Sequence, residues 1–200
     1  MHRQTLETAE RVLGREHPHT LMSMNNLARV LENQCRYEEA EAMHRQTLER
    51  RKELLGNEHP ATLRSMGNLA LVLDSQSKYD EAEAMHRETL AKREKVLGME
   101  HPDTLASLYC LAHLMANRHR YEESTSLYER ACAGYSAVLG MDHPTAQACR
   151  QNYAQMLGSQ KQDLLAIHSE MPPSDLSMRI GKGPRLSRGL TGVGISFLNH

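Results

Sequence analysis

Leu13-Gly14-Arg15-Glu16-His17-Pro18 returns as Leu55-Gly56-Asn57-Glu58-His59-Pro60, as Leu97-Gly98-Met99-Glu100-His101-Pro102 and as Leu139-Gly140-Met141-Asp142-His143-Pro144, each copy 42 residues after the last. Laid over residues 57–98, residues 15–56 match at 26 of 42 positions. A fixed period of this length means one supersecondary unit stacked on copies of itself, each copy burying a face it could not bury alone. Outward from the proline, Leu21, Met24, Leu27, Ala28 and Leu31 form one apolar stripe, and Ala40, Met43, Thr47, Leu48 and Leu55 form a second. Both follow helical spacing and not the alternation of a strand. Pro18, Pro60, Pro102 and Pro144 suit the first turn of the first helix, where a missing N–H costs nothing, and the histidine before each is set to pack or cap at that junction. Gly56 and its equivalents suit a left-handed αL stop after the second helix. The expected fold is all-α: helical hairpins of 42-residue period coiling into a right-handed superhelical solenoid with a concave face.

The organisation follows from the register. Met1 aligns with Met43 and Met85, so residues 1–14 read as the second helix of a truncated repeat. Full repeats occupy 15–56, 57–98 and 99–140. Residues 141–170 read as a degenerate final repeat whose first helix covers roughly 144–158. Residues 171–200 begin Met171-Pro172-Pro173, and five of the twelve glycines fall in 174–200, so a disordered tail is expected there. Arg179, Lys182, Arg185 and Arg188 against Asp175 make this tail basic.

Composition narrows the function. With no Trp, one Phe and twelve Met, the core must rest on Leu, Met and Ala, which favours helices. A formal net charge of −1 provides no field that would draw the chain to nucleic acid or an anionic membrane. Neither a signal peptide nor a membrane span is expected, since the longest clean apolar run is Leu69 to Leu73. Cys35, Cys110, Cys132 and Cys149 form no Cys-x-x-Cys pair, and buried free thiols in a reducing cytoplasm are expected.

The segments Glu-His-Pro-x-Thr-Leu-x-Ser-Met-x-Asn-Leu-Ala (16–28 and 58–70, with Asn25 and Gly67 at the third variable place) and Tyr-x-Glu-Ala-Glu (37–41 and 79–83) resemble kinesin light chain tetratricopeptide repeats. Leu127-Tyr128-Glu129-Arg130-Ala131 is similar as well, and the likeness spans residues 1 to about 158. The resemblance implies a protein-binding adaptor or scaffold that grips a peptide in its concave groove, in the cytoplasm and in association with the cytoskeleton. Groove positions carried over from the family are Met22, Asn25, Asn26, Arg29 and Asn33, then Arg64, Asn68 and Leu71. Further along come Tyr109, His113 and Asn117, then Gln151, Asn152 and Gln155. Asparagine amides can donate to and accept from a peptide backbone at once, and Arg29 or Arg64 can pair with a carboxylate.

Departures from the family are informative. A kinesin heavy chain partner requires a heptad coiled coil ahead of the repeats, and these residues leave no room for one. The same repeats resemble sensor arrays of fungal and bacterial STAND-type signalling ATPases, so a detached sensor segment is the alternative reading. Where the family places Gly before the tyrosine, Cys35, Ser77 and His119 stand, and that turn is expected to be strained or reshaped. His44 and His86 stand where the family favours an aromatic ring. A metal site shared by His2, His44 and His86 fails on geometry, because neighbouring helices lie about 8–10 Å apart and zinc needs nitrogens at about 2.0–2.1 Å. They are expected to be hydrogen-bonded core residues. Gly189-Leu-Thr-Gly-Val-Gly194 lacks the order of glycines of a phosphate loop. No catalytic residue, metal or cofactor is expected.

Overall fold

Each His-Pro pair starts a helix in the computed structural model, which describes residues 2–170. Eight helices follow in order among the described residues: α1 (His2–Leu13), α2 (Pro18–Asn33), α3 (Tyr37–Leu55), α4 (Pro60–Ser75), α5 (Tyr79–Leu97), α6 (Pro102–Asn117), α7 (Tyr121–Leu139) and α8 (Pro144–Glu170). No strand occurs among them. The disordered tail expected for 171–200 lies outside the described residues.

The helix starts show why His-Pro recurs. His17 and His59 sit at the N-cap with extended backbone, φ −65° and −67°, and Pro follows at the first helical position. Each ring closes over the first turn: Nδ1 of His17, His59, His101 and His143 accepts from the backbone N–H two residues on, at 3.1–3.2 Å. One of the orphan donors of a helix N-terminus is thereby satisfied by an imidazole instead of the usual Ser or Asp.

The helix ends differ from expectation in one respect. Gly56 has φ 89° and ψ 168°, and Gly98 φ 91° and ψ 163°. This is not the αL region but the extended positive-φ region that only glycine occupies readily, so the demand for glycine is stronger than a left-handed cap would make it. The αL residue appears instead at the other turn, inside each hairpin. Cys35, Ser77 and His119 have φ 58°, 60° and 56°. The Cys35 N–H donates to the Glu32 carbonyl and the Arg36 N–H to the Leu31 carbonyl, both at 2.9 Å, the paired bonds of a Schellman motif. Those bonds hold a conformation that costs a non-glycine residue about 1 kcal/mol, so the turn is strained and keeps its shape.

The chain divides into two compact units after Leu114. In the first, α1 packs on α2, α2 on α3, α3 on α4 and α4 on α5. All five residues of the expected first stripe, Leu21 to Leu31, are buried, as are Leu63, Met66, Leu69, Ala70 and Leu73 of α4. Ala28, Ala40, Ala70 and Ala82 are fully buried, small side chains that let neighbouring helices approach closely. The second stripe holds at Ala40, Thr47 and Leu48, but Leu55 is 43% exposed, because the last turn of α3 runs past the core toward the junction glycine.

In the second unit α7 packs on α8. Here α8 runs unbroken to Glu170 where a first helix ending near 158 was expected. Lys161, a good helix former, stands where Cys35, Ser77 and His119 turn the earlier hairpins. Two residues later Asp163 accepts from Tyr121 Oη and from His119 Nδ1, the latter at 2.8 Å, tying the extended helix to the start of α7. These bonds, the tyrosine's foremost, hold the Asp163 carboxyl below its ordinary range.

Candidate functional site: a polar helix face and what lies beneath it

Residues spaced 3, 4 and 7 apart share one face of a helix, and on α2 that face carries Met22, Asn26, Arg29 and Asn33. Asn26 is exposed and Arg29 half-buried. On α4, Arg64 is exposed and Asn68 half-buried. On α6, His113 is exposed, and Tyr109, in register with Asn25, is half-buried at the margin of the face. These six residues belong to the first unit. Asn152 is half-buried on α8, in the second. The amide recurring at Asn26 and Asn68 is interrupted at the equivalent position of α6 by Cys110, a half-buried thiol whose burial pushes its pKa up to about 11.

Asn25 does not share this face. It is 7% exposed, and its Oδ1 lies 3.2 Å from His44 Nδ1. The expected groove role is corrected at this position: one residue round the helix from Asn26, its side chain points between α2 and α3 and is spent on the imidazole there. The second nitrogen of His44, fully buried, lies 2.6 Å from Glu32 Oε1. His44 is therefore the hydrogen-bonded core residue that the sequence suggested, with a partner at each end of the ring.

The same layer is built differently one repeat on. Gly67 replaces Asn25 and Asp74 replaces Glu32, one methylene shorter. His86 is 2% exposed and its Nε2 has no hydrogen-bond partner among the described residues. Burial first, and the nearby Arg93 guanidinium second, drive the His86 pKa down to about 4. The Arg93 side chain lies over Gly67: a Cβ added there would meet its Nη2 at 3.6 Å, an ordinary contact. Burial also raises the Asp74 carboxyl, opposed by the proximity of His113. Asp74 on α4 and His113 on α6 thus sit close enough to feel one another.

Three residues missed by sequence reasoning hold this layer in place. Arg51 donates to the Ala61 carbonyl at 2.9 Å and to Ser65 Oγ at 2.7 Å, crossing from α3 to α4. Arg93 repeats the arrangement toward the Asp103 carbonyl and Ser107 Oγ. Glu41 accepts from Gln76 Nε2 at 2.8 Å and Lys78 Nζ at 2.7 Å, fastening α3 to the next hairpin turn. Burial raises the Glu41 pKa, but hydrogen bonds from Lys78, Gln76 and Arg45 outweigh it and bring it to about 2. The available signal was recurrence: Arg51 with Arg93 and Glu41 with Glu83 keep the 42-residue register.

Among the described residues, no group of three or more His, Cys, Asp or Glu side chains could hold a metal ion, and no helix is long and apolar enough to cross a membrane. What the surface offers is hydrogen-bonding amides flanked by guanidinium groups.

Comparison with known proteins bears on this arrangement. Tetratricopeptide repeat patterns match residues 1–53, 24–95 and 104–145. A crystal structure of the nearly identical TPR-like repeats of a Podosopora anserina protein named as a kinesin light chain superposes with a TM-score of 0.65 at 27% identity, covering 84% of this chain and 79% of that one. A point variant of those repeats gives 0.64 at 26% identity, covering 84% and 81%. BtubC (BKLC) from P. vanneervenii gives 0.63 at 18% identity, covering 95% and 77%, a likeness of fold alone. No curated protein sequence matches the chain significantly. Three hairpin turns, four capped junctions and these matches carry one conclusion: the chain belongs to the tetratricopeptide repeat family, a family of protein-interaction scaffolds, and its repeats are of the kinesin light chain-like kind.

Proposed function

We propose that the chain binds an extended peptide along the polar face of α2 and α4, continued by α6, and serves as an adaptor or scaffold in the manner of a kinesin light chain. The observation that carries this reading is the pair of sets Asn26 with Arg29 and Arg64 with Asn68, exposed or half-buried, in which the amide recurs in register and each first helix adds a guanidinium near it. Asparagine can satisfy both the N–H and the C=O of a bound backbone, and the arginines favour a peptide carrying Asp, Glu or a terminal carboxylate. Tyr109 and His113 extend the contact, Tyr109 through its ring. Asn25 is left out, being committed to His44. The mechanism is recognition without turnover.

Selection from a displayed peptide library, followed by titration of the synthetic winners by fluorescence anisotropy, tests this reading. The winners should be enriched in acidic residues, bind more weakly as salt rises, and lose about tenfold or more in affinity to the combined Asn26→Ala, Arg29→Ala, Asn68→Ala variant, the size expected when two or three polar contacts go. Circular dichroism should be unchanged in that variant. Equal affinity of both proteins for the selected peptides would sink the proposal.

A further inference from the structure

In the second unit, α7 and α8 meet around two cysteines. Cys132 is 9% exposed, Cys149 is 1% exposed, and their Sγ atoms lie 2.7 Å apart, well inside the van der Waals contact of two sulfurs. A second observation comes from the repeat. The positions equivalent to Cys149 are Ser65 and Ser107, and each accepts from an arginine, Arg51 or Arg93, at 2.7 and 2.8 Å. In the third repeat Tyr135 replaces that arginine, and the serine's place is taken by a thiol facing another thiol, Cys132, where the earlier repeats have Leu48 and Leu90. A hydrogen bond joining adjacent helices in two repeats has become a sulfur pair joining them in the third.

We infer that Cys132 and Cys149 form a reversible intramolecular disulfide that fastens α8 to α7, with a hydroperoxide such as hydrogen peroxide as the oxidant. The S–S bond requires about 2.05 Å, so the sulfurs need close by well under 1 Å, whereas a thiophilic cation between them would force them apart. Cys132 attacks first. It is the more exposed, and the hydrogen bond from the Cys149 thiol lowers its pKa against the effect of burial, helped by the Arg150 guanidinium. The same bond and burial raise Cys149, which keeps its proton at this stage.

The Cys132 thiolate attacks one peroxide oxygen; the S–O bond forms, the O–O bond breaks, and the departing hydroxide takes up a proton as water, leaving a sulfenic acid. The Cys149 sulfur then attacks the Cys132 sulfur as its proton leaves. The S–S bond forms, the S–O bond breaks, and the second hydroxide leaves with that proton as a second water. Two thiols have lost two electrons, and the peroxide has gained them. A dithiol reverses the step by exchange. The cross-link closes the segment from Cys132 through the Gly140 junction to Cys149, so that the first turns of α8 can no longer separate from α7.

The test uses the full chain carrying Cys35→Ser, which removes the exposed thiol that would otherwise link one chain to another. Treated with hydrogen peroxide and digested without reductant, the protein should lose about 2 Da and yield one linked peptide pair containing Cys132 and Cys149. Amide exchange in the first three turns of α8 should slow about tenfold and recover with dithiothreitol. In a Cys149→Ala variant the sulfenic acid should persist at Cys132 and be captured by dimedone. Sulfinic acid at Cys132 with Cys149 still free, a cross-link through Cys110, or thiols unchanged by peroxide in the folded chain would each overturn the inference. The mass measurement needs no variant at these two positions, so if a Cys149→Ala protein fails to fold, the linked peptide alone decides.

Discussion

The first and second repeats share 26 of 42 residues, yet their buried histidines live under opposite conditions. His44 has an amide oxygen on one nitrogen and a carboxylate on the other; His86, in the same place one repeat on, has an unmatched Nε2 and a guanidinium nearby. Two substitutions account for it, Asn25 to Gly67 and Glu32 to Asp74. The third repeat leaves the problem behind: Tyr128 stands in the histidine's position, 1% exposed and stacked on Tyr153 at 5.6 Å between ring centroids. A buried imidazole is thus tolerated in this fold only as well as its neighbours on the preceding helix allow.

Acid should have the largest effect, through His86. The His86 pKa is about 4 folded and near 6.5 unfolded, so between these values the unfolded chain binds the extra proton and stability falls as pH falls. Full expression of that difference is about 3 kcal/mol. Urea unfolding at pH 7 and pH 4.5 should show most of this loss in the wild-type chain and a clearly smaller loss in His86→Phe; equal losses in the two proteins would contradict the assignment. The Glu41 carboxylate adds its own acid sensitivity only lower, as pH drops below about 4.5 toward its folded value of about 2. The comparison between proteins cancels that contribution.

Making the first repeat resemble the second should cost somewhat less. Asn25→Gly removes a hydrogen bond from a buried ring, leaves space in a packed layer and weakens α2, together about 2–3 kcal/mol at neutral pH. Chemical denaturation midpoints measure it, and a cost under about 0.5 kcal/mol, the range of an ordinary surface substitution, would mean that the Asn25–His44 contact is idle. The reverse exchange has the smallest effect. Gly67→Asn with Asp74→Glu should give His86 its two partners and add about 1 kcal/mol, with the acid sensitivity of the chain reduced in parallel. A double variant less stable than the wild type would show that Arg93, which now leans over Gly67, cannot yield the space.

Much of this was legible in the sequence because it is local. The helix starts follow from His-Pro, whose ring and missing N–H act within one turn. The hairpin order follows from a period visible in the residues themselves. Phase puts Asn26, Arg29, Arg64, Asn68, Tyr109 and His113 on helices of one unit; Asn25 lies in that unit too but is buried, and Asn152 lies in the other. Asn25 was misplaced because a shift of one residue rotates a side chain by about 100° on a helix, and the sequence alone does not say which of two adjacent asparagines looks inward. Asn25, Gly67 and Tyr109 occupy that position in successive repeats while Asn26 recurs as Asn68, so between the first two repeats the position varies where its neighbour does not. The meeting of Cys132 with Cys149 and the reach of Glu41 to Lys78 depend on contacts between helices, whose partners a period can mark by recurrence but does not name.

The junction glycines carry a consequence for how such a chain changes over generations. Gly14, Gly56, Gly98 and Gly140 hold φ values of 86°, 89°, 91° and 90°, and each is followed by the same histidine-capped proline. A recombination that adds or deletes 42 codons therefore presents every surviving junction with the neighbours it had before. The number of repeats becomes the property most easily altered by inheritance, while a single nucleotide change in one of these glycine codons meets the stiffest resistance from the backbone.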